Sequence, residues 1–183
     1  MNVKLLPFVS IAALAAVFGQ AHAQKAKREV GAHQHGASKL NVAIEGQTVA
    51  MELSAPADDI VGFEARPRTE KQKAAVEQAT ATLRDPLKLF TLPPVAGCTV
   101  VSASVELVFG EGLTPEASDH SEFEGRYSLS CTNIAAVLDI EFPYFRLFPK
   151  AGEVEVQVIS PKGQKSFEIK RARPRPSLRN LTS

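Results

Sequence analysis

The strongest constraint on how this chain folds is a period of two in its apolar residues. Leu40, Val42 and Ile44 alternate with Lys39, Asn41 and Ala43, and Val49, Met51 and Leu53 resume the pattern after Glu45-Gly46-Gln47. Successive side chains of an extended strand point to opposite sides, so each run is a strand with one buried and one wetted face. Two such runs joined by a short glycine turn make a hairpin. The pattern returns from Thr99 to Phe109, with Val101, Ala103, Val105, Leu107 and Phe109 on one side. It returns again with Phe123, Tyr127, Leu129 and Cys131 set against Glu122, Glu124, Arg126, Ser128 and Ser130. Ala136, Leu138, Ile140 and Phe142 predict a further strand, and the runs from Glu153 to Ser160 and from Lys165 to Lys170 predict a final hairpin around Pro161-Lys162-Gly163.

One stretch has a helical period instead. Thr69-Glu70-Lys71-Gln72 fits a capping box, and Val76, Ala79 and Leu83 follow at helical spacing until Asp85-Pro86. Asp58-Asp59 is expected to cap the segment after it. The expected fold is α+β: a mostly antiparallel sheet of about seven strands, one principal helix packed against it, and one disulfide. Hairpin-linked strands around a single helix argue against a parallel doubly wound sheet.

The first residues set the compartment. Met1-Asn2-Val3-Lys4, an apolar run from Leu5 to Phe18 and Gly19-Gln20-Ala21-His22-Ala23 have the form of a secretory signal peptide. The apolar run is short for a membrane span. The expected division is a signal peptide at 1–23, one domain at 24–170, and a basic, disordered tail at 171–183. Cleavage after Ala21 instead would make His22 the first residue. In an oxidising compartment the two cysteines, Cys98 and Cys131, favour a disulfide, with paired thiolate ligands as the alternative. Their parities conflict, however. Residues directly opposite in a hairpin share a face, yet Cys98 has the parity of the polar side and Cys131 that of the core. A bulge or irregular start at Gly97-Cys98 is therefore expected.

Charge narrows the function. Beyond residue 23 there are 20 bases and 20 acids, but five bases (Lys170, Arg171, Arg173, Arg175 and Arg179) fall within the last fourteen residues. The body from Gln24 to Ile169 holds 15 bases and 20 acids, a net of −5. That balance excludes a typical nucleic-acid binder and suits cations. No phosphate-cradling glycine loop, Gly-x-Ser-x-Gly elbow or His-Glu-x-x-His pair is present, so no enzyme is expected.

What remains is histidine beside carboxylate. His33 and His35 in Gly31-Ala32-His33-Gln34-His35-Gly36 share the parity of Lys39 and Asn41, and would lie on the polar face if the strand reached back to them. His120-Ser121-Glu122 repeats the i, i+2 spacing at the mouth of the second hairpin. If the two strand starts adjoin, His33, His35, His120 and Glu122 supply the nitrogen and oxygen donors of a four-coordinate zinc site. Copper and nickel also accept imidazole. The competing reading is a chance histidine pair in a loose leader and a surface histidine in a loop.

A resemblance bears on that choice. Gly31-Ala32-His33-Gln34-His35-Gly36-Ala37, Val61-Gly62-Phe63-Glu64, Asp85-Pro86 with Phe90, Ala96-Gly97-Cys98, and His120-Ser121-Glu122-Phe123 ending in Tyr127 and Cys131 occur in an order and spacing that resembles the ZrgA-like periplasmic zinc-binding proteins of Gram-negative bacteria. The resemblance runs from Val30 to about Ile169. It implies a protein of periplasmic zinc acquisition, accessory to a zinc importer or its periplasmic binding component. It also implies that His33, His35 and His120 are family histidines. Members often carry a long histidine-rich insertion before the Glu-Phe run. Here that place holds only Gly110 to Asp119, without histidine. The alternatives are a structural or protein-interaction module with incidental histidines, and a zinc hydrolase with Glu64 or Glu124 as base.

Overall fold

A computed structural model describes residues 37–110, 120–173 and 175–182. The alternating runs become six strands: β1 (Ala37–Glu45), β2 (Thr48–Pro56), β3 (Cys98–Phe109), β4 (Ser121–Cys131), β5 (Glu153–Ser160) and β6 (Gly163–Lys170). They form one sheet in the order β3-β4-β2-β1-β5-β6. The three expected hairpins are antiparallel, as is the β2–β4 pairing, but β1 and β5 run parallel, with Leu40 opposite Val156. The sheet is thus mixed, and it has six strands among the described residues rather than about seven.

The missing strand is the run Ala136 to Phe142. A 3-10 turn at Ile134–Ala136 breaks its period, and Val137, Ile140 and Phe142 are the buried residues instead. Its backbone groups go to separate segments rather than one ladder. Leu138 O accepts from Leu178 N at 2.7 Å, and Glu141 exchanges two bonds of 2.9 Å with Thr91. Isolated bonds to two separate segments do not make a strand.

The side of the sheet carrying Leu40, Val42, Val49, Met51, Leu129 and Val156 is buried, while Lys39, Asn41, Glu52, Glu155 and Gln157 on the other side are exposed. Each fully buried aliphatic side chain stabilises the fold by about 1.5–3 kcal/mol. The covering layer is irregular. It holds the helices α1 (Ala57–Val61), α2 (Glu70–Leu83), α3 (Pro86–Leu89) and α4 (Tyr144–Leu147), together with an aromatic cluster. In that cluster Phe90 lies 5.4 Å from Phe142 and 6.0 Å from Tyr144, which lies 5.2 Å from Phe148. The capping box at Thr69 and Gln72 is formed on α2, the longest described helix, which buries only Ala79 and Leu83. A single principal helix therefore overstates α2; the aromatic connectors fill most of the layer. No described helix is long and apolar enough to cross a membrane.

The basic end, expected to be a solvated tail, instead returns to the core. Leu178 and Leu181 are buried around α5 (Arg179–Thr182), and Thr182 Oγ1 donates to Val137 O at 2.9 Å. Arg175 pairs with Glu141, and the Arg171 guanidinium donates to the carbonyls of Phe145, Pro149 (2.7 Å) and Ala151 (2.8 Å). Two leucines three residues apart anchor what its charge alone would leave in water.

The disulfide Cys98–Cys131 is formed, which removes the thiolate-ligand alternative. The two cysteines are directly paired across β3 and β4. The parity conflict is resolved by an irregularity, but further along than Gly97-Cys98. Val100 faces Leu129 and Ser102 faces Ser128, so Val101 is the extra residue of a bulge and is 66 % exposed. Before it, even-numbered residues share the face of Leu129 and Cys131; after it, Ala103, Val105 and Leu107 do.

Candidate metal centre

One end of the sheet gathers the starts of β1, β4 and β5 and the ends of β2, β3 and β6, since Pro56 pairs with Glu122, Phe109 with Ser121, and Ala37 with Glu153. Ala37, the first described residue, lies two strands from β4, a lateral separation of about 10 Å. His120 immediately precedes β4 at this same end, and its carbonyl accepts from Gly110 N at 3.0 Å.

The chain between α1 and α2 crosses to meet it. Asp58 and Asp59 sit in the first turn of α1, where carboxylates favour the helix dipole, but neither caps it: Pro56 occupies the cap position and makes no side-chain bond. Asp58 pairs with Lys150 at 3.2 Å, and Asp59 is buried. Gly62 then ends the helix at φ +86°, a left-handed conformation that side chains resist. The segment beyond is held twice. Arg66 lies over the Phe109 ring at 4.2 Å, and Ser121 Oγ donates to the Glu64 carbonyl at 2.6 Å.

These attachments bring the Glu64 carboxylate onto His120, with Oε2 against Nδ1. The Glu64 side chain is 13 % exposed and that of His120 is 52 % exposed. A carboxylate only accepts, so Nδ1 is the donor of this contact; in the neutral ring that tautomer puts the lone pair on Nε2. This is the arrangement by which a second carboxylate orients a metal-ligating imidazole. Sequence reading placed Glu64 only as a candidate base. Fifty-six residues separate it from His120, and no local pattern signals their contact.

Glu122, two residues further on, is nearly buried and accepts a hydrogen bond from Ser54 Oγ on β2 through Oε2. Glu124 pairs with Arg126 at 2.6 Å. His33 and His35 lie outside the described residues. Among the described residues no group of three or more His, Cys, Asp or Glu side chains converges as a metal cage.

A second polar group lies in the core. Ser38 and Tyr144 share a hydrogen bond of 2.8 Å, and the buried Tyr127 hydroxyl has no hydrogen-bond partner among the described residues. Burial pushes both phenols well above the ordinary tyrosine range; for Tyr144 the Asp59 charge adds to this, while the Ser38 bond opposes it.

Residues 32–178 match the family model described as ZrgA family zinc uptake protein. The match covers most of the chain, and the protein belongs to that family. No curated protein matches it.

Proposed function

We propose that this protein captures zinc in the periplasm and holds it for uptake, without catalysing a reaction on it. Membership of a zinc uptake family supports the cargo, and the signal-like first 23 residues together with the disulfide support the compartment. The observation that carries the reading is His120, an exposed imidazole whose Nδ1 is held by Glu64 at the sheet end where β1 begins. The proposed ligands are His33, His35, His120 and Glu122. Nitrogen with one carboxylate oxygen is a donor set that zinc takes readily. Nothing in the set rejects copper or nickel, so preference for zinc rests on which metal is supplied. The receiving partner is a zinc importer or its periplasmic binding component.

The test is zinc titration of the mature protein beside a His33→Ala plus His35→Ala variant. Affinity should fall at least tenfold in the variant. Equal affinity would remove the proposal and leave a structural or partner-binding module in its place.

A further inference from the structure

We propose that the cleft between α4 and the chain after β6 binds an acidic segment of a partner polypeptide. Arg146, Arg171 and Arg175 line it together with Glu141, over Phe142 and Phe145, and its volume is about 540 Å³. Three bases against one acid leave two positive charges in excess, in a chain whose body from Gln24 to Ile169 carries a net of −5. The bases differ in what they already meet. Arg146 is exposed and makes no hydrogen bond or ion pair with a described residue. Arg171 donates to three backbone carbonyls, which fix its guanidinium and leave its charge without a carboxylate. Arg175 holds the Glu141 carboxylate, so the cleft already accepts one carboxylate from the chain itself. Phe142 and Phe145 are buried, and such an apolar floor focuses the field of the bases around it.

This chemistry selects the occupant. Planar guanidinium groups pair with carboxylates through parallel hydrogen bonds, and one that is already fixed loses less freedom in doing so. A free small anion is normally enclosed over most of its surface. Here the side chains that would hold it are themselves exposed, Arg175 by 57 % and Glu141 by 47 %, which suits carboxylates carried on a second chain lying across the opening. A bilayer surface is flat and would meet the rim without entering the cleft. The exposed Arg175–Glu141 pair is weak, so an incoming acid can take the place of Glu141. Arg171 directly follows β6, which puts the cleft at the same end of the sheet as His120 but four strand spacings away, about 19 Å. A partner held there would adjoin the proposed metal end without covering it.

The experiment uses the mature full-length protein and a fluorescein-labelled peptide of glutamate and glycine, with a lysine–glycine peptide as control. Binding is read by fluorescence anisotropy, and the fold of each variant by circular dichroism. The wild type should bind the acidic peptide and not the basic one, with or without zinc, and less tightly as salt is raised. Arg146→Gln breaks no contact within the fold and should weaken binding about tenfold. Arg84→Gln removes the same charge from an exposed position at the end of α2 and should leave binding unchanged. Glu141→Gln should tighten it about threefold by releasing Arg175. Equal losses in Arg146→Gln and Arg84→Gln would overturn the proposal, because attraction to charge anywhere on the surface would then account for binding. Absence of acidic-peptide binding by the wild type would overturn it too. So would displacement of the peptide by succinate at equal concentration, which would make the ligand a free anion, or by phosphatidylglycerol vesicles, which would make it a membrane.

Discussion

The β3–β4 hairpin ends in two different ways. At one end Cys98 and Cys131 are covalently joined across paired positions, with Gly97 and Thr132 packed beside them. At the other, Phe109, His120 and Ser121 are met by a segment from elsewhere in the chain, through hydrogen bonds and a cation–π contact. Each of those contacts contributes about 0.5–3 kcal/mol, and each can reform after being broken. The covalent end stabilises the hairpin without involving the end at which metal binding is proposed.

That separation can be broken by experiment. The largest effect should come from Cys98→Ala with Cys131→Ala. Losing closure of a loop with a sequence separation of 33 costs about 3–4 kcal/mol of stability. Urea unfolding should show this, while the folded variant keeps zinc affinity within twofold. A matching fall in affinity would mean the two ends are coupled.

A pair of glycines sharpens the contrast. Gly97 has φ +59°, and a Cβ there would fall 2.3 Å from Thr132 Oγ1; at Gly62 the nearest atom is the flexible Lys150 Nζ at 3.3 Å. Gly97→Ala should cost about 2 kcal/mol through backbone strain and displacement of Thr132, without touching zinc binding. Gly62→Ala should cost about 1 kcal/mol and also weaken zinc binding, because that turn aims Glu64 at His120. If both variants lost stability alone, Gly62 would be only a helix terminator.

The smallest effect concerns the core between the two ends. The chain has two tyrosines and no tryptophan, so phenolate absorbance reports Tyr127 and Tyr144 directly. Both folded values are raised above the ordinary 10.0. Between the unfolded and folded values the unfolded chain has lost a proton that the folded chain keeps, so stability falls as pH rises through 10. The loss should be about 0.4 kcal/mol per tyrosine at pH 10. Spectroscopic titration should show no phenolate in the folded protein at that pH. Early ionisation of either ring would show that water reaches the core from the open end.

Much of the scaffold was legible because it is local. Alternation located all three hairpins, and Thr69 with Gln72 marked the helix start. The cysteine parities demanded an irregularity, although where along β3 it would fall depended on packing that parity does not encode. The failures share one cause. Ala136 to Phe142 alternates convincingly, yet its backbone is claimed by Thr91, Ser177 and Leu178. The basic end looked solvated because charge outweighed Leu178 and Leu181 in the reading. At the site, His120, Glu122 and Glu64 could all be picked out by spacing or resemblance, but the contact of Glu64 with His120 could not, because it joins residues 56 positions apart. Tertiary pairing decides such contacts, and a single sequence does not display it.

The bulge at Val101 also bears on solubility. β3 is an edge strand of twelve residues, long enough to template the addition of a foreign strand. An extra residue near its start interrupts the row of outward backbone groups, so an approaching strand cannot pair on both sides of Val101 in a single register. The residue that reconciles Cys98 with Cys131 therefore also guards the open edge of the sheet against aggregation.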